Sequence, residues 1–261
     1  MAEESLARPF YTVLVLALVC SALVAGATVG LRPLQDVNRQ LDRKRNILRA
    51  AGIYERDSRV EEQFRAIRTR VVDLATGEFV PESQINPVTF DQKKAALDQK
   101  KGKTLRSEDD LAGLSRVERY GVVYLVEKGQ RIDQVILPVR GKGVWSTMYA
   151  YVALDGDLNT IRGISFYEHG ETPGLGGEIE NKRWQAGWEG KRIYGPNQTV
   201  ALRVVKGRAS EKPAEAAYQI DGLSGATMTS SGVSNLMRFW FGNHGYQPFL
   251  RRMRQQGGLN G

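Results

Sequence analysis

From Phe10 to Gly30 the chain carries no charged residue, and apart from Thr12, Cys20, Ser21 and Thr28 the stretch is apolar. About 20 such residues are what a helix needs to cross the hydrocarbon core of a bilayer. A lipid-embedded backbone must satisfy its own polar groups, so this segment has to be helical and everything else has to fold outside it. Ala25-Gly26-Ala27 resembles a signal-peptidase site. However, Arg8 is the only basic residue before the span, and the apolar run is long for a cleaved leader, so a retained anchor is the reading adopted. Arg32, Arg39, Arg43, Lys44 and Arg45 follow the span. By the positive-inside rule they favour a cytoplasmic C-terminal side, but the rule loses force when a long domain follows.

Beyond the anchor the hydrophobic period changes twice. Leu34, Val37, Leu41 and Leu48 fall near one helical face, Pro33 suits a first turn and Gly52 a stop, which predicts an amphipathic helix over 34–51. A second helical pattern runs through Val60, Phe64, Ile67 and Val71. Residues 76–115 are polar and irregular, with Lys93-Lys94 and Lys100-Lys101. The period then becomes that of strands. Tyr120–Val126 and Arg131–Val139 flank Lys128-Gly129-Gln130; Thr147–Leu154 and Thr160–Tyr167 flank Asp155–Leu158; a short strand covers 200–206. Helical patterns lie at 180–189, 229–242 and 246–256. The expectation is an α+β protein: residues 1–9 as a short N-terminal segment, 10–30 as the transmembrane helix, 31–115 as a helical stalk with a polar insertion, and 116–261 as one domain of antiparallel sheet and packed helices.

Composition removes several functions. The single cysteine, Cys20, excludes an internal disulfide framework and any multi-cysteine zinc or iron–sulfur site. With only His169 and His244, no metal site is expected. The net charge of +8 comes from scattered residues without aromatic interleaving, which reads as solvated faces and membrane-proximal charge rather than nucleic-acid binding. Neither a Gly-x-Gly-x-x-Gly turn nor a Walker loop is present, so no dinucleotide site is expected.

Three short runs carry chemistry. Asp221–Ser230 is rich in Gly, Ala, Ser and Thr and precedes an apolar helical pattern at Val233, Leu236, Met237 and Trp240. Small residues bare the backbone amides, and a helix N-terminus adds partial positive charge, together suiting a phosphate. A plain Ser/Thr-rich N-cap fits the same run. Glu171–Gly177 follows a strand; its Pro and glycines shape a tight loop whose Thr172 and Leu175 are placed to touch a flat ring, or it is an ordinary turn between strand and helix. In Gly141–Ser146, Trp145 can stack on such a ring or anchor a sheet edge. His169 is given no catalytic role, and no catalytic side chain is assigned.

Asp221-x-x-Ser224-Gly225-Ala226-Thr227 resembles the acceptor signature read by periplasmic flavin transferases, in which the last hydroxyl is esterified by the phosphate of FMN. That resemblance implies FMN linked covalently to Thr227. Glu171-Thr172-Pro173-Gly174-Leu175-Gly176 resembles the loop that covers the isoalloxazine in FMN-binding domains, and Gly141-x-Gly143-x-Trp145 matches a second motif of that family. The cofactor-binding residues implied are Trp145, Ser146, Glu171, Thr172, Gly174, Leu175, Gly176, Asp221, Leu223, Ser224, Gly225, Ala226, Met228 and Thr229.

Asn46-Ile47-Leu48 after Arg43-Lys44-Arg45, the run Gly143–Tyr149 and the run Ile164–Glu178 extend the likeness over nearly the whole chain, to the C subunits of Na⁺-translocating NADH:quinone reductases. The resemblance implies a single-pass protein of the bacterial inner membrane, its N-terminus cytoplasmic and its FMN-binding domain periplasmic. Its covalent FMN would relay electrons within a complex that oxidises NADH, reduces ubiquinone and exports Na⁺. The implied partners are other membrane, flavin and iron–sulfur subunits, a flavin transferase and membrane lipid, without nucleic acid. Two alternatives accompany it: the homologous flavoprotein subunit of the related ferredoxin:NAD electron-transport complex, and a non-redox periplasmic module for a phosphate-bearing ligand.

Overall fold

The computed structural model describes residues 7–98, 102–129 and 131–256. Lys100-Lys101, Gln130 of the first expected hairpin, and the ends of the chain lie outside these residues. The chain divides into two compact units, Met1–Arg43 and Lys44–Gly261.

The first unit is helix. α1 runs unbroken from Ala7 to Ala50, with Pro33 in its interior. The expected separate helix at 34–51 is therefore the continuation of the apolar helix before it. Proline removes one backbone donor and crowds the preceding turn. The residues on both sides are helix-formers, and the helix continues through that local loss. From Phe10 to Val37 its large apolar side chains are exposed, and the helix is long and apolar enough to cross a membrane. Past Ala50 the chain turns at Gly52, whose φ of +69° suits glycine.

The second unit is a six-stranded antiparallel sheet, in the order β2-β1-β5-β6-β7-β8. Its strands are β1 (Ile67–Asp73), β2 (Phe79–Val80), β5 (Tyr120–Lys128), β6 (Arg131–Lys142), β7 (Thr147–Asp155) and β8 (Ile161–Glu168). Two small ladders complete it: β3 (Gly102–Thr104) against β4 (Arg116–Glu118), and β9 (Arg203–Val204) parallel to β10 (Gln219–Ile220). The helices are α2 (Val60–Phe64), α3 (Gln92–Leu97), α4 (Lys182–Ala186), α5 (Pro213–Ala216), α6 (Thr227–Trp240) and α7 (Gln247–Gln255), with a 3-10 turn at Gly176–Glu180.

The run of apolar residues in β5 explains the layering. Val123 and Leu125 point into one hydrophobic cluster, Val122, Tyr124 and Val126 into another. A strand apolar on both sides needs cover on both faces. One face is covered by α6 and α7, through Val233, Leu236, Met237, Trp240, Phe249 and Leu250. The other is covered by Ile47, Leu48, Ala50 and Ala51, the end of α1 that belongs to this unit.

Two expectations fail here. The helical pattern through Val60–Val71 stops at Phe64, and Ile67–Asp73 is a strand paired along its whole length with β5. A spacing of four residues satisfies a strand's even period as well as a helical turn, and the β-branched Ile67, Val71 and Val72 favour the strand. Residues 31–115 are likewise not a stalk with an irregular insertion, and the domain does not begin at 116. The segment supplies β1 and β2 to the main sheet, and the compact unit begins at Lys44. Smaller shifts are of length: the strand at 200–206 keeps two paired residues, and the helix at 180–189 is a 3-10 turn plus α4.

A buried polar cluster ties α3, β4, β6 and the start of α7 together. Arg140 makes a bidentate pair with Glu118 at 2.7 and 2.6 Å. Gln92 donates to Glu118 and accepts from the Val122 amide, and the Tyr246 hydroxyl donates to the Pro138 carbonyl. Burial holds the Tyr246 phenol well above its ordinary pKa. Burying a paired charge is costly unless its remaining sites are satisfied. Here the neighbouring amide and guanidinium donors satisfy Glu118.

Candidate functional site

Three loops meet at one end of the β6–β7 hairpin. β6 and β7 pair in unbroken register from Gln134↔Asp155 to Lys142↔Thr147, so the connection is only Gly143–Ser146. It is closed by the Gly143 amide donating to the Ser146 carbonyl at 2.7 Å. After β8, residues 169–175 lead into the 3-10 turn, with the Leu175 and Gly177 amides donating to the Thr172 carbonyl. The third segment is the turn before α6. It is fixed by the Leu223 amide donating to Ser230 Oγ at 3.1 Å and by Gly225 at φ +70°. The Trp240 indole donates to the Arg140 carbonyl at 2.6 Å, locking α6 onto β6.

Between these loops lies an open cleft of about 270 Å³ lined by Val144, Trp145, Glu171, Thr172, Leu175, Gly176 and the run Gly225–Thr229. Its rim is apolar yet exposed: Trp145 and Met228 are each 73% exposed and Leu175 45%. Elsewhere this unit keeps its large aromatics mostly inside. A cluster of exposed apolar groups around one concavity marks a contact surface for a ligand or partner. At its edge stands Thr227, exposed, the first residue of the fourteen-residue α6. The N-cap of α6 is Ala226 and no side chain caps it, so its first amides are available to an anion.

The floor is the carboxylate of Glu171, only 4% exposed. It accepts the amides of Val144 and Trp145 at 3.0 Å each and the Thr229 hydroxyl at 2.6 Å. Burial alone would raise its pKa. The Thr229 hydroxyl and the Trp145, Val144 and Ser146 amides outweigh burial, and the pKa lies below the ordinary value of 4.5.

Of the residues the sequence singled out, Trp145, Glu171, Thr172, Leu175, Gly176, Gly225, Ala226, Thr227, Met228 and Thr229 line the cleft. The others do not. Ser146 Oγ accepts the Gly170 amide at 2.6 Å, and Gly174 lies on the opposite side of its loop, in a hollow with His169 and Glu178. The Asp221 carboxylate caps the Ala209 amide at 2.7 Å, while its carbonyl accepts the Trp184 indole at 2.8 Å. The Leu223 side chain is in the core, and Ser224 is exposed beside the cleft. Sequence reasoning missed Val144, whose bulk lines the cleft, and the Glu171–Thr229 bond. Neither had a sequence signal, because the bond joins segments that only the sheet brings together. His169 Nδ1 accepts the Glu171 amide at 3.1 Å, a loop-shaping contact.

The residues fit a flavin phosphate ester. An exposed hydroxyl lies at an uncapped helix N-terminus, beside apolar side chains left uncovered by the described residues. At Gly225 an added Cβ would come within 3.0 Å of Leu175, so a side chain would crowd the entrance. Comparison with known proteins supports FMN binding by this segment. Residues 143–242 match the FMN-binding domain family, the segment that builds the cleft. Over its whole length the chain is 46% identical to the C subunit of the Na⁺-translocating NADH-quinone reductase of Pseudomonas aeruginosa, covering 97% of this chain and 98% of that one. It is 45% identical to the corresponding protein of Yersinia pestis, covering 99% and 97%. The crystal structure of Shewanella oneidensis NqrC superposes with a TM-score of 0.74 at 32% identity, over 81% of this chain and 96% of that one. The chain belongs to the family of C subunits of Na⁺-translocating NADH-quinone reductases.

Proposed function

We propose that the protein carries FMN esterified through its phosphate to Thr227, and that this flavin relays electrons between other redox groups of the reductase. The observation that supports this most is the pairing of the exposed Thr227 hydroxyl with the exposed Trp145, Leu175 and Met228 around one cleft. When bound, FMN supplies the electron transfer; the chain holds and tunes it. The α6 N-terminus favours the phosphate charge. Trp145, Leu175 and Met228 offer apolar surface to the ring. The cleft is open, with Trp145 and Met228 exposed at its rim, so a ring held there would stay accessible to a partner protein. That suits a carrier that must pass electrons onward and needs no protein acid or base.

Phe10–Gly30 is read as the retained span, with the Lys44–Gly261 unit in the periplasm of a bacterial inner membrane. The chemical motive is that the flavin transferase for this signature acts after export. The basic residues after the span argue the other way, but long domains translocate largely regardless of such charge. The test of attachment is in-gel flavin fluorescence of the chain co-expressed with a flavin transferase. Thr227→Ala should abolish the signal with the fold intact, and a variant still fluorescent after denaturing electrophoresis would contradict the assignment. Ser230→Ala, which removes a buried hydroxyl of the same run, should remain fluorescent.

A further inference from the structure

Glu171 has a place in the cleft that flavin binding alone does not explain. Its carboxylate joins three segments far apart in the chain. Oε1 takes the Val144 and Trp145 amides at 3.0 Å, and Oε2 takes the Thr229 hydroxyl at 2.6 Å. The loop bearing Trp145 is thereby bound to the first turn of α6, two residues beyond Thr227. The packing admits no substitute at Gly176: an added Cβ would lie 2.5 Å from Thr229 Oγ1 and 2.9 Å from Glu171 Oε2. The donors are backbone amides of the 144–146 loop and a hydroxyl, all neutral. They stabilise the carboxylate by hydrogen bonding without cancelling its charge with a cation.

We propose that Glu171 is a positioning residue with an electrostatic consequence: it clasps the Trp145 loop to α6 and fixes a negative charge beneath the flavin that lowers the flavin's midpoint potential. This rests on the reading that flavin occupies the cleft. A fixed anion opposes the gain of an electron beside it, and the opposition grows where water is excluded. The low pKa that the donors impose keeps Glu171 ionised throughout the neutral range, so the effect is constant there.

The two roles separate by substitution. Glu171→Gln removes the charge and preserves the clasp: the amide oxygen still accepts the Val144 and Trp145 amides, and the amide nitrogen donates to the Thr229 hydroxyl, which rotates to accept. Thr229→Val removes one clasp bond and leaves the charge. Both full-length variants and the wild type are co-expressed with the flavin transferase, checked for in-gel flavin fluorescence, and titrated for midpoint potential in detergent. The expectation is that Glu171→Gln stays fluorescent and its midpoint moves positive. The reduced-to-oxidised ratio at the wild-type midpoint should rise about tenfold, or 59 mV for a one-electron step. Thr229→Val, which keeps the charge, should move the midpoint less than Glu171→Gln does. An unchanged or more negative midpoint in Glu171→Gln overturns the proposal. So does an equal positive shift in Thr229→Val, which would assign the effect to geometry. A Glu171→Gln chain that fails to accumulate, or accumulates without flavin while the wild type is loaded, also overturns it, because the amide retains the geometry. Absence of fluorescence from the wild type would instead refute flavin attachment itself.

Discussion

The hydroxyls of the 224–230 run differ in what they are free to do. Thr229 and Ser230 are buried, one donating to Glu171 and the other accepting from the Leu223 amide, while Ser224 and Thr227 face solvent. Burial thus separates Thr227 from its downstream neighbours, and its place on α6 separates it from Ser224. Leu175 acts on the ring rather than the phosphate: Leu175→Asp should shift the flavin absorption spectrum or potential and leave in-gel fluorescence in place. An unchanged spectrum and potential would put the loop away from the ring. Gly225→Val should do the reverse, reducing attachment, because φ of +70° strains a β-branched residue by roughly 1–3 kcal/mol and its side chain meets Leu175. Glu171 also sets an acid limit. Its folded pKa lies below the ordinary 4.5, so its stabilising contribution is complete above that value and is lost as pH falls through the folded pKa. Denaturant midpoints of wild type and Glu171→Gln should differ by a constant amount from pH 6 to 8 and converge below about pH 4.5. A difference that does not change on acidification would contradict the ionised state assigned to Glu171.

At the scale of elements, α6 is the scaffold of the site, and its seat on β6 is what keeps Thr227 beside Trp145. Trp240 is fully buried with its indole bonded to the Arg140 carbonyl, so Trp240→Ala should cost about 3–5 kcal/mol in denaturant unfolding. Removing one partner of the buried pair beneath it, as in Glu118→Ala, should cost a similar 3–5 kcal/mol by leaving Arg140 unpaired. A loss under 1 kcal/mol in either would show that α6 is held by other contacts. The strands from β5 to β8 and the helices α6 and α7 could be read from the sequence, because each has a clear period bounded by turn residues. What could not be read was β1. Its separation from β5 hides the pairing, and the four-residue step from Ile67 to Val71 fits both helix and strand. The end of α1 was misread for a related reason: Pro33 signals a boundary locally, whereas the residues around it sustain one helix. In the site, motif residues were visible as types. That Asp221 and Ser146 brace loops while Glu171 gathers three of them depends on distances no local pattern encodes.

For the whole molecule, an exposed apolar helix long enough to cross a membrane accompanies a folded unit with both sheet faces covered. Alkaline phosphatase fused after Gly261 should be active if that unit is exported, and an inactive fusion made at normal level would reverse the orientation. A mature N-terminus near Thr28 would show cleavage in place of anchoring. The proposed carrier role rests on flavin held covalently by this chain. The most direct test is the intact mass of the full-length chain co-expressed with a flavin transferase, followed by fragmentation of the peptide that contains residues 221–230. The expected result is a gain of one FMN less one water, localised to Thr227 and absent from Thr227→Ala. A chain of unmodified mass, or the same gain on another residue, would contradict it.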